Sequence, residues 1–517
     1  MRLHLTFMKR RDFVNLVGAG GALGFFETLS AMGLVKLPHA EPWTPLPQDS
    51  GQGMRVAVLG AGVAGLVAAL ELRRAGFQCT VLEALSRPGG RNWTLRGGDR
   101  IEETASVQSV SWDRDPELYF NAGPARLNQD HVTVLRYCRE LGVPLEVFVN
   151  DNRSTLIQAD GVFAGAPQSA GRVVADARGW IAEMAARQAT KPELREFLRH
   201  FGDLDETLRY KGSTRAGFAT PRGIHPEQQG SPHPPLSLEE ILKVTTWHDA
   251  VSFQETRGMT PTMFQPVGGM DAIPRAFARV LGPMIRYQAE VVSIRRSGAG
   301  ARVSWRDRNR DQIQVLDADF VVCTIPLPPL SRIDTDFPAE VRRAIRVGAA
   351  AYVPAVKVAF EANRWWETDL GIYGGITWTS RDIGQIWYPS SGFNRRKGIL
   401  LGAYIWNTRL GNRFGAMRPE RRIAAARDGV DQLHPGYGRQ VDRGISVAWS
   451  KLPYAGGGWV DRGNEAWSNA YPVMRRPVGP VYFAGEHMSM LNQWQEGAMR
   501  SAQEVVTAIA GEAARPR

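Results

Sequence analysis

A glycine-rich loop near the start of the chain has the residue types that bind a nucleotide diphosphate. Residues 60–65 read Gly-Ala-Gly-Val-Ala-Gly and connect an apolar run, residues 55–59, to a segment with helical spacing of alanine and leucine. Gly60 permits a tight turn, Gly62 lets backbone N–H groups approach a pyrophosphate, and Gly65 lets the helix pack closely. The positive end of the helix dipole then faces the phosphates.

An acidic residue completes this pattern after the next strand. Residues 78–82 form a second apolar run, and Glu83 follows it directly. A carboxylate at this position accepts hydrogen bonds from the adenosine ribose and repels a 2′-phosphate. The βαβ context therefore predicts a dinucleotide site that includes Ala64 and Ala84, and it leaves NAD and FAD both open.

Downstream segments favour FAD through a resemblance. Ser-Arg-Pro-Gly-Gly-Arg at 86–91 follows the acid, and an apolar run at 481–484 ends in Gly-Glu before a C-terminal helical stretch. Together with the loop, these motifs resemble the flavin monoamine oxidase superfamily from about residue 54 to 512. The resemblance implies FAD, bound by the residues already named and by Gly90, Arg91, Gly123, Pro124, Arg126, Val291, Gly485, Glu486, Gln495, Glu496 and Ala498.

Two residues match substrate positions of the L-amino-acid oxidase branch. Arg126 ends a Gly-Pro-Ala-Arg segment, and the resemblance implies that its guanidinium grips the substrate α-carboxylate. A planar guanidinium matches a carboxylate with two parallel hydrogen bonds. Tyr388 stands in a Tyr-Pro pair and is expected to donate its hydroxyl to the same carboxylate.

Four residues are expected around the reacting end of the substrate. Lys357 lies in an apolar run, where a buried lysine is costly without a partner, and the resemblance implies that it holds a water near the flavin. Trp459 and Trp494 would flank the substrate amine, and the carbonyl of Gln493 would meet it. Many members have a small residue at the Gln493 position, so side-chain specificity stays open.

The resemblance implies FAD-dependent oxidative deamination of an L-amino acid by hydride transfer to the flavin. The products would be a 2-oxo acid, ammonia and hydrogen peroxide, with O2 as acceptor. Three alternatives stay open: a monoamine or polyamine oxidase, a tryptophan-2-monooxygenase-like enzyme that forms an amide, and a non-catalytic flavoprotein. Neither the preferred amino acid nor a general base is identified.

The elements that must position these residues divide the chain into discontinuous parts. Its 517 residues exceed one simple core. The expected α/β fold is an FAD-binding Rossmann-like domain of the amine-oxidase type with a mixed-sheet substrate domain and a helical insert. The FAD-binding domain is assigned to 54–92, 264–350 and 475–517, the substrate domain to 93–155 and 351–474, and the helical insert to 156–263.

Composition excludes several other classes of function. The net charge is +11, but the excess arginine is spread along the chain without a basic stripe, so no nucleic-acid partner is expected. The three cysteines, Cys79, Cys138 and Cys323, lie far apart in apolar runs, which predicts buried thiols and no metal site.

The N-terminus resembles a bacterial twin-arginine export signal. Arg10 and Arg11 precede a polar residue, an aromatic residue and a mildly apolar stretch that holds several glycines. Residues 1–40 are therefore interpreted as a signal peptide read by the export machinery, and 41–53 as a linker. This predicts a periplasmic or secreted enzyme without a stable membrane span, and the resemblance suggests a homodimer.

Overall fold

The computed structural model describes residues 43–220, 223–225, 227–244 and 251–515. The predicted signal peptide lies outside these residues, as does the start of the linker. Within the described part of the chain, no helix is both long enough and apolar enough to cross a membrane. All three cysteines are buried free thiols, which confirms that these residues are buried as predicted.

Twenty-three strands are found in the described residues. In chain order they are β1 (Arg55–Leu59), β2 (Gln78–Leu82), β3 (Thr94–Arg96), β4 (Arg100–Glu103), β5 (Ser106–Ser109), β6 (Tyr119–Asn121), β7 (Leu127–Asn128), β8 (Leu145–Phe148), β9 (Leu156–Gln158), β10 (Gln168–Ser169), β11 (Met263–Pro266), β12 (Ile285–Arg286), β13 (Ala289–Ser297), β14 (Gly300–Asp307), β15 (Gln312–Ala318), β16 (Phe320–Cys323), β17 (Asp334–Thr335), β18 (Val356–Asn363), β19 (Ile376–Thr379), β20 (Gln385–Trp387), β21 (Lys397–Ile405), β22 (Val441–Ala448) and β23 (Val481–Phe483).

Thirteen α-helices are found in the same described ranges. They are α1 (Val63–Arg74), α2 (Val132–Glu140), α3 (Ala170–Ala186), α4 (Pro192–Gly202), α5 (Leu238–Leu242), α6 (Ala272–Leu281), α7 (Leu327–Leu330), α8 (Ala339–Ala350), α9 (Trp365–Thr368), α10 (Thr408–Ala416), α11 (Pro419–Leu433), α12 (Glu465–Met474) and α13 (Gln495–Ala513).

A five-stranded parallel sheet forms the nucleotide-binding part, in the order β12-β2-β1-β16-β23. Its strands come from all three segments assigned to the FAD-binding domain. The strands are almost entirely apolar because both faces of the sheet are covered. Helices α1 and α13 share one buried cluster with Val56 and Val58, whereas residues of β14, α8 and α12 pack with Ala57 and Leu59 on the other face.

A seven-stranded mixed sheet forms the substrate part, in the order β10-β9-β19-β20-β21-β18-β22. Only β9 and β19 pair in parallel. One face packs on α9 and α11, and the opposite face carries a second cluster that includes Ala355, Trp387 and Val447. Residues 156–158 and 168–169 belong to this sheet, so the helical insert begins after β10 and not at residue 156 as predicted.

The helical insert is centred on α3 and α4, which enclose a small cluster with Tyr210. Gly179 of α3 lies directly against this tyrosine, since a Cβ atom there would stand 2.2 Å from the Tyr210 ring. Two short 3-10 turns, Phe253–Glu255 and Arg257–Met259, precede β11, which pairs with β7 and β8 in a three-stranded sheet. These turns carry the insert to the wall of the site.

Candidate active site

One cavity of about 1550 Å³ is lined by residues of both the parallel sheet and the mixed sheet. Most of the residues predicted from the sequence lie in its wall. They are Gly60, Gly62, Ala64, Glu83, Ala84, Gly90, Arg91, Gly123, Pro124, Arg126, Val291, Lys357, Trp459, Gly485, Glu486, Gln493, Trp494, Gln495 and Ala498. Gly65, Tyr388 and Glu496 are not in the wall.

The glycine loop leaves open space at one end of the cavity. Gly60 has a φ of +104°, a conformation that favours glycine. A Cβ atom on Gly62 would meet no atom within 4 Å, although Gly62 lines the cavity. Gly65 is a packing residue, because its Cβ would stand 2.0 Å from the Gly60 carbonyl oxygen. The loop thus offers room for a phosphate beside the start of α1.

Glu83 ends β2 with a buried carboxylate that braces this loop. One oxygen accepts from the backbone N–H of Ala61 at 2.7 Å, and the other from that of Leu85 at 2.8 Å. Burial raises the pKa of the Glu83 carboxyl, and the two backbone donors oppose this shift. The carboxylate lies in the wall, at the position that the fingerprint assigns to a ribose.

Glu486 lines the cavity, and one of its carboxylate oxygens is unpaired among the described residues. Its Oε1 atom pairs with Arg91 at 2.8 Å and also accepts from the backbone N–H of Val460 at 3.3 Å. Its buried Oε2 atom has no hydrogen-bond partner among the described residues. A buried acceptor left without a donor is costly. The site therefore fits a ligand that carries hydroxyl groups, as the ribityl chain of FAD does.

The side chain of Glu496 lies outside the cavity wall, and a contact of its backbone with the cofactor stays a prediction. Its carboxylate accepts from the backbone N–H groups of Thr133 and Val134 and thereby caps the first turn of α2. Successive residues at the start of a helix point about 100° apart. Gln495 therefore faces the cavity, where its Oε1 atom accepts from Asn92 at 2.6 Å, while Glu496 faces away.

Arg126 is a buried cation in the wall without an acidic partner among the described residues. Its guanidinium carbon lies 4.7 Å from the ring centre of Trp387, 5.2 Å from that of Phe253 and 6.0 Å from that of Trp494. Nη2 donates to the sulfur of Met259 at 3.3 Å, and buried Nη1 has no described partner. Burial lowers the pKa of Arg126 to about 10.

Lys357 of β18 places a second buried nitrogen beside Arg126. Its Nζ atom donates to the carbonyl oxygens of Gly123 at 2.6 Å and Asn121 at 3.1 Å. It also lies 4.7 Å from the ring centre of Tyr404. Burial lowers the pKa of Lys357 to about 7, and the charge of Arg126 acts in the same direction. The proposed contact with a water stays a prediction.

The structure overturns the prediction for Tyr388. Its hydroxyl is hydrogen-bonded to Thr377 at 2.9 Å and to Nε2 of His434 at 2.7 Å, within the cluster between the mixed sheet and α11. Adjacent residues of an extended chain point to opposite faces. Trp387 therefore points toward Arg126, and Tyr388 lies on the far face of the sheet.

Aromatic residues that sequence reasoning missed surround the two cations. They form a chain of ring contacts with centre-to-centre distances between 4.9 and 6.0 Å: Phe253 to Trp378, Trp378 to Trp406, Trp406 to Tyr404, and Tyr404 to Trp387. Except for Trp378, all of these residues line the cavity. The aromatic sequence Ile-Trp-Tyr-Pro at 386–389 was a signal for this cluster. The sequence did not show which of its two rings points toward the cavity.

The predicted tryptophans also belong to this region. Trp459 and Trp494 both line the cavity, and both pack against the aromatic cluster. The Trp494 ring meets the ring of His131 edge-on at 4.6 Å. Gln493, directly before Trp494, has a φ of +71°. This end of the cavity therefore combines two buried cations with wide aromatic surfaces.

Comparisons with known proteins extend this description. The profile of the family described as flavin containing amine oxidoreductase matches residues 63–510. An L-amino-acid oxidase of Siganus canaliculatus is 29% identical over 466 residues, covering 88% of this chain and 85% of its own. The flavin-dependent L-tryptophan oxidase RebO of Lentzea aerocolonigenes is 28% identical over 491 residues, covering 88% and 98%.

Solved structures show the same fold. Putrescine oxidase bound to putrescine superposes with a TM-score of 0.59 at 19% identity, covering 89% of this chain and 99% of its own. Cyclohexylamine oxidase from Brevibacterium oxydans gives 0.58 at 18% identity, covering 90% and 100%. The predicted fold class is thereby confirmed, and at such identities the likeness concerns the fold alone.

Proposed function

This chain belongs to the flavin-containing amine oxidoreductase family, and on that premise we propose that it is an L-amino-acid oxidase. FAD is the cofactor of the family, and the open loop at Gly62 and the unpaired oxygen of Glu486 fit it. When bound, FAD takes up the two electrons that the substrate loses and passes them to O2, which leaves as hydrogen peroxide.

The observation that carries the proposal is the buried guanidinium of Arg126. A buried cation without a counter-ion is costly, and aromatic faces compensate only part of that cost. Of the two terminal guanidinium nitrogens, Nη1 has no partner among the described residues, and Nη2 has only a thioether. A substrate α-carboxylate would supply the missing negative charge and two acceptors in a matching plane. A simple amine would leave Arg126 as it is.

The remaining residues would orient the α-carbon. With the carboxylate on Arg126, the amino group would lie between Trp459 and Trp494 and donate to the carbonyl of Gln493. Lys357 lies beside Arg126, and its pKa is lowered to about 7. Its amino group would therefore gain or lose a proton near neutral pH, next to the bound substrate. The aromatic walls would exclude bulk water from the reacting carbon.

The same aromatic walls indicate which substrate side chains the cavity would favour. Around Arg126 the wall includes Phe253, Trp387, Tyr404 and Trp406, which offer π faces and no carboxylate. Large apolar or aromatic side chains gain burial there, whereas a second cation would meet Arg126 and Lys357. We therefore propose that L-tryptophan, L-phenylalanine and L-leucine are better substrates than L-lysine or L-arginine.

Amine oxidation without a carboxylate is the second candidate. It is favoured by the fold neighbours, which are titled putrescine oxidase and cyclohexylamine oxidase. Nothing in that reaction uses Arg126. The two functions therefore differ in one property, the requirement for a carboxylate.

The deciding experiment pairs each L-amino acid with its own decarboxylated amine. The purified yellow protein is mixed anaerobically with L-phenylalanine or phenethylamine, and with L-tryptophan or tryptamine, while the visible flavin absorbance is followed. Bleaching by the amino acids alone supports the proposal, and bleaching by the amines alone moves the protein to the second candidate. Aerobic product analysis for 2-oxo acid against amide separates the oxidase from the monooxygenase reaction.

We also propose that residues 1–40 direct export of the folded enzyme. The support is the Arg10-Arg11 pair and the glycine-containing apolar stretch that follows. Replacing both arginines by lysine should retain the enzyme in the cytoplasm of its host, as measured by cell fractionation with activity in each fraction. An unchanged distribution would contradict this proposal.

A further inference from the structure

Met259 supplies the only sulfur in the described wall of the cavity. Its Sδ atom accepts the Nη2–H group of Arg126 at 3.3 Å. Its backbone carbonyl is fixed by Nδ2 of Asn150 at 2.8 Å, so the main chain holds the thioether at the guanidinium. Met259 is half-buried and lines the cavity, so its side chain stands beside the space that small molecules occupy there.

A thioether is a weak hydrogen-bond acceptor. It is also the group in this wall that peroxide oxidises most readily, by a two-electron reaction that forms methionine sulfoxide. The sulfur gains one oxygen atom, and the O–O bond of hydrogen peroxide breaks to release one water. The product carries a strongly polar S–O bond at the same place, and methionine sulfoxide reductases reverse it.

We propose that Met259 is an oxidation site through which the enzyme's own peroxide closes its substrate site. This inference rests on the proposed function, because that reaction would generate the oxidant inside the same cavity. The peroxide would transfer one oxygen to Sδ of Met259, and the sulfoxide oxygen would then accept from the guanidinium of Arg126.

The geometry around Arg126 favours this capture. Nη1 is buried without a described partner, and Nη2 already points at the sulfur. An oxygen bonded to that sulfur lies within reach of the guanidinium, and a charge-assisted N–H···O bond is stronger than N–H···S. A substrate carboxylate needs the same two nitrogens. Oxidation of Met259 therefore competes with the carboxylate and weakens substrate binding.

Two other methionines provide matched controls. Met270 is fully buried, lies outside the described wall, and its sulfur accepts from Nε2 of Gln495 at 3.1 Å. Met490 is 74% exposed, so its oxidation would report peroxide in bulk solvent. Oxidation that follows simple exposure would modify Met490 first, whereas oxidation by peroxide formed in the cavity would favour Met259.

The test uses the FAD-loaded full chain. One sample turns over L-phenylalanine in air with catalase present, which removes peroxide from bulk solvent, and a second receives added hydrogen peroxide without substrate. Peptide mass spectrometry then measures the gain of one oxygen at residues 259, 270 and 490, and KM and kcat are measured before and after treatment. Met259→Leu and Met490→Leu undergo the same treatment, each compared with its own untreated value.

We expect Met259 to gain oxygen in both samples, and Met490 only with added peroxide. KM for L-phenylalanine should rise at least tenfold in the wild type and in Met490→Leu, should return after methionine sulfoxide reductase, and should not change in Met259→Leu. Unmodified Met259 in the turnover sample, or modified Met259 with an unchanged KM, would overturn the inference.

Failure of the proposed function has a different signature. In that case no L-amino acid is consumed in the first sample. The second sample still shows by mass spectrometry whether the sulfur of Met259 accepts oxygen, and an unmodified residue there overturns the oxidation site itself.

Discussion

The guanidinium of Arg126 lies 4.7 Å from the ring centre of Trp387 and forms no ion pair with any described acidic residue. A cation held by aromatic faces keeps its hydrogen-bonding edge free. An arginine with a purely structural role is usually paired, as Arg422 is with Glu103 at 2.7 Å in the same protein. The contrast between these two buried arginines supports ligand binding by Arg126.

Replacing Arg126 should abolish carboxylate recognition. Arg126→Ala removes two charge-assisted hydrogen bonds, each of about 1.5–3 kcal/mol. The kcat/KM for L-phenylalanine should therefore fall by roughly 10² to 10⁴. Arg126→Lys keeps the charge but loses the planar fork, so most of the loss should remain. Steady-state oxygen consumption measures both variants.

Arg302→Ala is the matched control, because Arg302 is exposed, lies outside the described wall of the cavity and pairs with Asp317 on the neighbouring strand β15. It should keep the wild-type kcat/KM. An Arg126→Ala variant that retains kcat/KM within threefold of the wild type would be incompatible with carboxylate binding by this residue.

Trp387 and Tyr388 are neighbours on opposite faces of the sheet, so their variants should differ in their effect on KM. Trp387→Leu removes the ring beneath Arg126, worth about 0.5–2 kcal/mol, and should raise KM several-fold. Because Trp387 is a buried member of the aromatic cluster, this variant should also have a lower free energy of unfolding. Tyr388→Phe should leave KM unchanged and lower the free energy of unfolding by about 1–3 kcal/mol, because Thr377 and His434 lose a buried partner.

Kinetics and urea unfolding of the two variants test this separation. A higher KM in Tyr388→Phe at unchanged stability would restore the carboxylate role that the sequence predicted for Tyr388.

These neighbours also show where sequence reasoning stops. The Tyr-Pro pair led to the prediction that Tyr388 meets the substrate, whereas in the structure Trp387 lies beside Arg126. Which face each ring occupies depends on the register of β20 against β21, where only Trp387 and Leu401 are paired. A shift of one residue would exchange the two rings. The direction of the Glu496 side chain likewise depends on how α13 packs against α2, which the sequence does not show.

The nucleotide loop was predictable because its constraints are local. Gly60 needs its positive φ, and Gly65 touches the Gly60 carbonyl within one turn, so spacing alone fixes their roles. Phe253 and Met259 could not be predicted. Both residues contact Arg126 but follow it in the sequence by more than a hundred residues. Only the packing of the insert brings them together.

Gly62 offers a direct test of cofactor binding. Its φ of −67° suits alanine, and an added Cβ meets no protein atom within 4 Å. Gly62→Ala should therefore fold normally, but its methyl group would occupy space beside the phosphates. We expect FAD affinity to fall roughly tenfold or more, which is ~1.4 kcal/mol. The absorbance ratio of flavin to protein after dilution measures the loss.

Gly511→Ala is the control for this experiment, since its Cβ also meets nothing within 4 Å but lies at the exposed end of α13. It should retain FAD and gain about 0.5–1 kcal/mol of stability. Equal FAD content in Gly62→Ala and Gly511→Ala would show that phosphates do not approach Gly62.

The lowered pKa of Lys357 predicts that the free energy of unfolding depends on pH. Burial lowers its pKa to about 7 in the folded protein, against about 10.4 in an unfolded chain. Below pH 7 both states bind the proton, and the folded protein carries the full cost of a buried charge. Between pH 7 and 10 the unfolded chain binds more protons, so the stability of the wild type rises with pH.

Lys357→Met does not titrate, so its stability advantage over the wild type should be greatest below pH 7. The advantage should narrow by about 1.4 kcal/mol per pH unit from pH 7 toward 10. Lys397→Met is the opposite control, because Asp113 and Glu361 raise the pKa of Lys397, and its difference from the wild type should stay constant across this window. Urea unfolding from pH 6 to 10 measures both differences. A constant gap for Lys357→Met would mean that Lys357 stays charged throughout, and therefore that a negative charge absent from its described surroundings stabilises it.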